Sequence, residues 1–285
     1  MPLPTITIGD DLTVHRLGFG TMRLPGPGAW GPPADHAEAI RVLRQAVASG
    51  VDFLDTADSY GPAIAEELIR EALHPYPDGL VIATKAGLLR PGPITAPGPW
   101  PRCGRPEYLR QQAELSLRRL GVERLDLFQL HRVDETVPFE DQIGALAHLR
   151  DQGKVRHVGL SGVTVAQIEA AARIVPVVSV QNRFNLADRT ASDVLRYAEH
   201  NGLAFIPFAP LATGHLATGT ALAEIAAARG VRPAAVALAW LLHRSPAMLP
   251  IPGTSRTAHL ADNLTAAEIT LTSTEIDAFD QLARV

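Results

Sequence analysis

The sequence predicts a (β/α)8 TIM barrel, an α/β fold in which one closed parallel sheet is ringed by helices. Two observations carry this. Along 285 residues, eight short β-rich runs alternate with segments of helical length. Several runs are apolar throughout, as strands covered on both faces are. Eight right-handed parallel crossovers close into a barrel, and ~250 residues is an ordinary length for one. A doubly wound open sheet is the alternative. No linker or composition shift divides the chain, so residues 1–285 read as one domain.

Thr5-Ile6-Thr7-Ile8 and the run from Val14 to Gly20 flank a Gly9-Asp10-Asp11 turn. That pattern predicts a short β-hairpin ahead of the barrel. Asp35 is placed to cap a helix running to about Ser49, which Gly50 stops. The run 51–55, a helix over 64–73 and the run 80–84 follow, then a Pro-rich loop over about 90–106. A helix over 106–120 precedes the run 125–130, and a helix over 138–152 precedes the run 155–160. A helix over 165–174, the run 177–180, a helix over 191–201 and the run 203–208 continue the alternation. A helical region between Leu222 and His243 leads to the last run, Met248-Leu249-Pro250-Ile251. Helices over 257–267 and 273–283 complete the chain, the last being extra to the barrel.

Composition excludes several classes. The chain has 26 basic and 30 acidic residues, and its densest basic run is Arg118-Arg119. A nucleic-acid or acidic membrane surface needs a clustered basic patch, so neither partner is expected. No stretch approaches the ~18 uninterrupted apolar residues of a membrane span. The N-terminus lacks a basic and an apolar signal region, and the one cysteine, Cys103, forms no intrachain disulfide. Both fit a cytoplasmic protein. Oligomeric state is not legible.

The polar residues that end the runs are the informative ones. Asp55 ends the second, Lys85 the third, His131 the fourth, Ser161 the fifth and Gln181 the sixth. In a barrel these ends converge on one mouth, where active sites lie. Tyr60 follows Asp55 by five residues, so its loop brings the phenol over the same mouth. A free tyrosine has a pKa of about 10, and a nearby ammonium lowers it. Asp55 would hold the Lys85 ammonium, and His131 could donate to the oxygen that Tyr60 protonates. Together they make a general acid at a carbonyl. Taken singly, each has a plainer reading: a structural ion pair, a core histidine, a packing tyrosine.

Other signals are weaker. Gly26-Pro27-Gly28-Ala29-Trp30-Gly31 matches G-x-G-x-x-G but runs into Pro32-Pro33 instead of a helix, so it reads as a mobile loop. Ser161 has no nucleophile-elbow context. The histidines show no metal-ligand spacing, so no metal is expected. Gly253, Thr254, Ser255 and Arg256 precede a helix N-terminus, an arrangement suited to a phosphate; a capped helix with a solvated arginine is the plainer alternative. Trp30 and Trp100, on the loops 25–33 and 90–106, are candidates to wall a substrate pocket, or simply pack those loops.

These residues resemble the aldo-keto reductase superfamily. Gly50-Val51-Asp52-Phe53-Leu54-Asp55-Thr56-Ala57-Asp58-Ser59-Tyr60-Gly61 is similar to its signature around the catalytic Asp and Tyr. Thr84-Lys85 and Leu127-Phe128-Gln129-Leu130-His131-Arg132 resemble its lysine and histidine strands, and the likeness runs from about Gly18 to Asn263. It implies an NAD(P)H-dependent carbonyl reductase. Tyr60 would be the proton donor, Lys85 would lower its pKa, Asp55 would hold Lys85, and His131 would orient the carbonyl. Gly20, Thr21 and Met22 match positions at the nicotinamide end, with Asp55 close by. Ser161 and Gln181 match residues holding the carboxamide, Phe208 a stacking ring, and Leu211 the pyrophosphate path. Gly253 to Arg256, with Asp262 and Asn263, match the adenosine-phosphate segment.

The sequence departs from the pattern at several points. Gly162 stands where Asn is frequent, and Phe208 where Tyr is. Gly253 and His259 stand where Lys and Arg are frequent, and Arg256 takes their place toward a 2′-phosphate. NADPH is therefore expected over NADH. Two other classes stay open. One is a cofactor-binding regulatory protein with little turnover, like the family's channel-associated subunits. The other is an unrelated barrel enzyme with a Lys85 Schiff base. The partner is expected to be a small carbonyl compound, whose identity the sequence does not give.

Overall fold

The computed structural model describes residues 4–93, 100–212 and 220–282. Residues 94–99 of the Pro-rich loop lie outside the described residues. A parallel sheet runs in the order β3 (Phe19–Gly20), β4 (Phe53–Asp55), β5 (Val81–Ala86), β6 (Leu125–Leu130), β7 (Val155–Ser161), β8 (Val177–Gln181), β9 (Ala204–Phe205). The run 247–252 closes it. Phe205 N–H donates to Ala247 O and Leu249 N–H to Phe205 O on one side. Gly18 and Gly20 N–H donate to Pro250 O and Pro252 O on the other. Pro250 and Pro252 have no N–H to return to β3, so this eighth staple of the barrel carries only half a ladder on that side. The Arg16 guanidinium reinforces it, donating to Met248 O at 3.2 Å and to Leu242 O at 2.7 Å.

The predicted hairpin is present. β1 (Thr5–Ile8) pairs antiparallel with β2 (Leu12–His15), Ile8 opposite Leu12. The buried side chains of Ile8, Leu12 and Val14 pack on Phe53, Val81, Leu127 and Leu249. Phe53 and Val81 open β4 and β5, so the hairpin covers the N-terminal end and leaves the other end as the mouth.

The ring of helices follows the expected order: α1 (His36–Ala48), α2 (Ile64–Leu73), α3 (Pro106–Leu120), α4 (Phe139–Asp151), α5 (Val165–Ala172), α6 (Ser192–His200), then α7 (Thr220–Arg229), α8 (Pro233–Arg244), α9 (Thr257–Leu264) and α10 (Ser273–Leu282). Local chemistry sets the boundaries. Asp35 caps α1 by accepting from Glu38 N–H at 2.8 Å. Pro106 opens α3, and left-handed Gly121 closes it. The helical region expected between Leu222 and His243 is two helices, bent by 102°. Gly230 turns left-handed at φ +64° and Pro233 starts α8, so the first helix cannot run on. The expected run 203–208 keeps only Ala204–Phe205 as regular strand, because Pro207 removes a ladder donor.

Among the described residues no single helix is long and apolar enough to cross a membrane. One acid–histidine group that spacing could not reveal is also present. Asp10, Asp11 and His157 bring ligand atoms within 4.8 Å of one another on the surface of the hairpin end. Asp11 is already paired there with Arg156 and, at 2.6 Å, with His157 Nε2.

Candidate active site

Every polar residue that ends a predicted run arrives at the mouth. Asp55 is the last residue of β4, Lys85 the penultimate of β5, Ser161 and Gln181 the last of β7 and β8, and His131 follows β6. Parallel register puts Lys85 beside Gln129 and Ser161 beside Gln181.

Lys85 is wholly buried. Its Nζ lies 2.8 and 2.7 Å from the two Asp55 oxygens and 2.7 Å from Thr56 O. Its three donors are thus spent on three acceptors. Asp55 Oδ1 also accepts from Gln181 Nε2 at 2.8 Å. Burial pulls the Lys85 ammonium below its ordinary range, and the Asp55 charge opposes that shift.

Tyr60 stands over this pair. Lys85 Nζ is 5.4 Å from the ring centroid, and the His131 ring meets Tyr60 edge-on at 5.9 Å. Burial pushes the phenol above its ordinary pKa, the Asp55 charge adds to that, and Arg132 opposes it. Asp55 neutralises the ammonium, which lies over the ring. The phenol is held protonated. His131 is held neutral, well below its usual pKa, by burial first and then by the Lys85 and Arg132 charges. Its Nδ1 is 3.4 Å from Ser59 Oγ.

Three adjoining cavities share Met22. One of about 300 Å³ is bordered by Tyr60, His131, Trp100, Arg132, Gln181 and Phe208. The next, of about 270 Å³, shares Tyr60, Gln181 and Phe208 and extends past Gly20, Asp55 and Leu211 to Gly253. A third, of about 940 Å³, is bordered by Ser255 and Arg256. Close backbone approach shapes the middle one: a Cβ on Gly253 would lie 2.5 Å from Gly20 O.

The remaining expected residues sort by where the structure puts them. Thr21 is buried, and its hydroxyl donates to Asp55 O at 3.1 Å, so it supports the wall without bordering these cavities. Ser161 is buried and accepts from Arg132 Nη1 at 2.6 Å. Thr254 Oγ1 accepts from Arg256 N–H at 3.1 Å and shapes the turn into α9. Ser255 and Arg256 are exposed, and no carboxylate among the described residues pairs with Arg256. Asp262 lies 3.8 Å from Arg232, and Asn263 is buried in the last turn of α9.

Trp100 borders the cavity beside Tyr60, but Trp30 does not. Trp30 packs on Arg90, whose guanidinium lies 5.5 Å from Trp30 and 3.9 Å from Trp100. Arg90 also donates to Gly28 O at 2.9 Å and to Ala29 O at 2.8 Å. The Gly26–Gly31 segment, expected to be mobile, is therefore pinned. Gly31 N–H donates to Gly61 O at 2.6 Å, and Gly61 N–H donates to Ala29 O at 3.0 Å.

Sequence reasoning missed Glu38, Arg90 and Arg132. Glu38 Oε1 accepts from Thr257 N–H and Oγ1, so a carboxylate from α1 already sits at the α9 N-terminus. Arg132 directly follows His131 in the histidine motif.

The comparisons agree with this geometry. The family model for the aldo/keto reductase family matches residues 16–284. An uncharacterized oxidoreductase of Schizosaccharomyces pombe is 49% identical over 278 residues, covering 97% of this chain and 89% of the relative. Pyridoxine 4-dehydrogenase of Escherichia coli is 41% identical over 286 residues, covering 98% of each. The crystal structure of an aldo-keto reductase from Klebsiella pneumoniae in complex with NADPH superposes with a TM-score of 0.81 at 26% identity, covering 99% of this chain and 95% of that one. The chain belongs to the aldo/keto reductase family.

Proposed function

We propose that this chain is an NADPH-dependent reductase of aldehydes or ketones, with Tyr60 as the proton donor. One observation carries the reading. The buried Tyr60 ring meets the His131 ring edge-on at 5.9 Å in a cavity that adjoins the groove past Gly253, and the next cavity is bordered by Arg256, with which no carboxylate among the described residues pairs. The residues present fit the cofactor that the Klebsiella structure holds. Phe208 offers a ring face to the groove that runs past Gly20 and Gly253, and no carboxylate among the described residues pairs with Arg256.

NADPH, when bound, supplies the hydride. Gln181 spends its Nε2 on Asp55 and keeps its amide oxygen for a carboxamide; Ser161 keeps its hydroxyl proton for the same group. Leu211 and Gly253 border the pyrophosphate path. Ser255, Arg256, Asp262 and Asn263 serve the adenosine end, with Arg256 toward a 2′-phosphate. At the carbonyl, His131 as neutral imidazole donates to the oxygen without competing for the proton. Tyr60 then transfers its phenolic proton to that oxygen. Lys85 and Asp55 position the phenol from below.

The test is a fluorescence titration with NADPH and with NADH, followed by addition of 4-nitrobenzaldehyde. Tight NADPH binding with oxidation on adding aldehyde is expected. Binding without turnover would instead favour a cofactor-sensing protein, and no binding would overturn the assignment of Gln181, Ser161 and Arg256. Pyridoxine, the substrate named for the Escherichia coli relative, is assayed in the oxidative direction with NADP+.

A further inference from the structure

The residue after His131 carries a charge that no carboxylate among the described residues balances. Arg132 is half-buried, and its Nη1 donates to His131 O and to Ser161 Oγ, both at 2.6 Å. Its guanidinium carbon sits 4.8 Å from the Phe208 ring centroid. Gly162 makes room for it: a Cβ there would lie 3.0 Å from Arg132 Cδ and 3.1 Å from Nε. Both fixed acceptors are uncharged oxygens, and both bonds use one nitrogen. Among the described residues no carboxylate pairs with Arg132. A guanidinium keeps its charge at any working pH, and holding one out of water without a counter-ion is costly.

The cavity offers no internal answer. No Asp or Glu borders it. Its other cation, Arg102, is balanced by Glu135 at 2.8 Å. Asp55 is committed to Lys85 and Gln181. The segment 94–99 contains no acid. Arg132 borders neither the cavity that reaches Leu211 and Gly253 nor the one that reaches Arg256, so the cofactor's phosphates are not placed to be its partner.

We infer that the missing counter-ion is part of the substrate: the chain takes carbonyl compounds that carry an oxyanion, such as a carboxylate, and Arg132 binds that group. Nε and Nη2 remain for a two-point contact with it. The part of the cavity of about 300 Å³ bordered by Tyr60, Trp100, Arg102 and Arg132, beside the Phe208 and Gln181 wall given to the nicotinamide, suits a small aromatic or short-chain oxo acid. This rests on the reductase reading above and names its substrate class.

The test compares 3- and 4-carboxybenzaldehyde with the carboxamide analogues, using the NADPH-loaded full chain. The expected kcat/KM ratio, carboxylate over carboxamide, is about 10 to 100 for the better isomer. Arg132→Met collapses that ratio to within about threefold of one, and Arg132→Lys retains part of it. A wild-type ratio near one, a ratio unchanged in Arg132→Met, or an equal loss for both aldehydes would each overturn the inference. Thermal protection by benzoate against benzamide, measured on the NADP+-loaded protein, reads the site without turnover. Benzoate protection that depends on Arg132, with neither aldehyde reduced, would overturn the reductase reading and leave the anion site standing. Reduction of both aldehydes with no preference would do the reverse.

Discussion

Lys85 touches both oxygens of Asp55, at 2.7 and 2.8 Å, with neither residue open to water. The ammonium is thereby paired within 5.4 Å of the Tyr60 ring centroid. Burial and the Asp55 charge both push the phenol above its ordinary pKa. The proposed reduction needs a phenol that still has its proton.

Breaking that pair should cost stability as well as rate. In Lys85→Met the Asp55 carboxylate is left buried and uncompensated, which typically costs ~3–5 kcal/mol. Urea unfolding of the variant against the wild type measures it. A difference below about 1 kcal/mol would show that water or a cation reaches Asp55.

Asp58 gives the fold a pH dependence of its own. Burial, with the Glu66 charge, pushes its carboxyl up to about 8 from 3.8. Between those values the folded state binds a proton that the unfolded state has lost. Stability from this group is therefore present below about pH 4 and falls as pH rises toward 8. Asp58→Asn should lose that slope, gaining on the wild type by up to ~1.4 kcal/mol per pH unit inside the window. Unfolding curves at pH 5 and pH 8 check it; parallel curves for the two proteins would remove Asp58 from the account.

Arg256→Ala should weaken NADPH binding by about 10- to 150-fold and NADH binding far less, the scale of a charge-assisted contact. Glu38 sits at the α9 N-terminus and repels an incoming phosphate, so Glu38→Gln should strengthen NADPH binding modestly. Titrations of both variants with both cofactors decide this; equal losses for the two cofactors would free Arg256 from the 2′-phosphate.

The residues of this site were legible in the sequence to the extent that their neighbours in the chain defined them. α2 and α3 fall where periodicity, Pro106 and Gly121 put them. Asp55, Lys85, His131, Ser161 and Gln181 meet because each ends a strand, and barrel closure converts that into proximity. Contacts across the chain were not legible. Glu38 reaches Thr257 over 219 residues, and Arg132 reaches Ser161 over 29. Arg90 lies between Trp30 and Trp100, which explains why one indole borders the cavity and the other supports a loop. The burial that raises the Tyr60 phenol was also out of reach, since only packing defines it.

The most direct measurement is a single turnover of the NADPH-loaded wild type and its Tyr60→Phe variant, mixed with 4-nitrobenzaldehyde and followed by NADPH absorbance. The account predicts rapid oxidation in the wild type and a rate at least ~100-fold lower in Tyr60→Phe, with NADPH affinity nearly unchanged. Equal rates in the two proteins would contradict the assignment of Tyr60 as the proton donor.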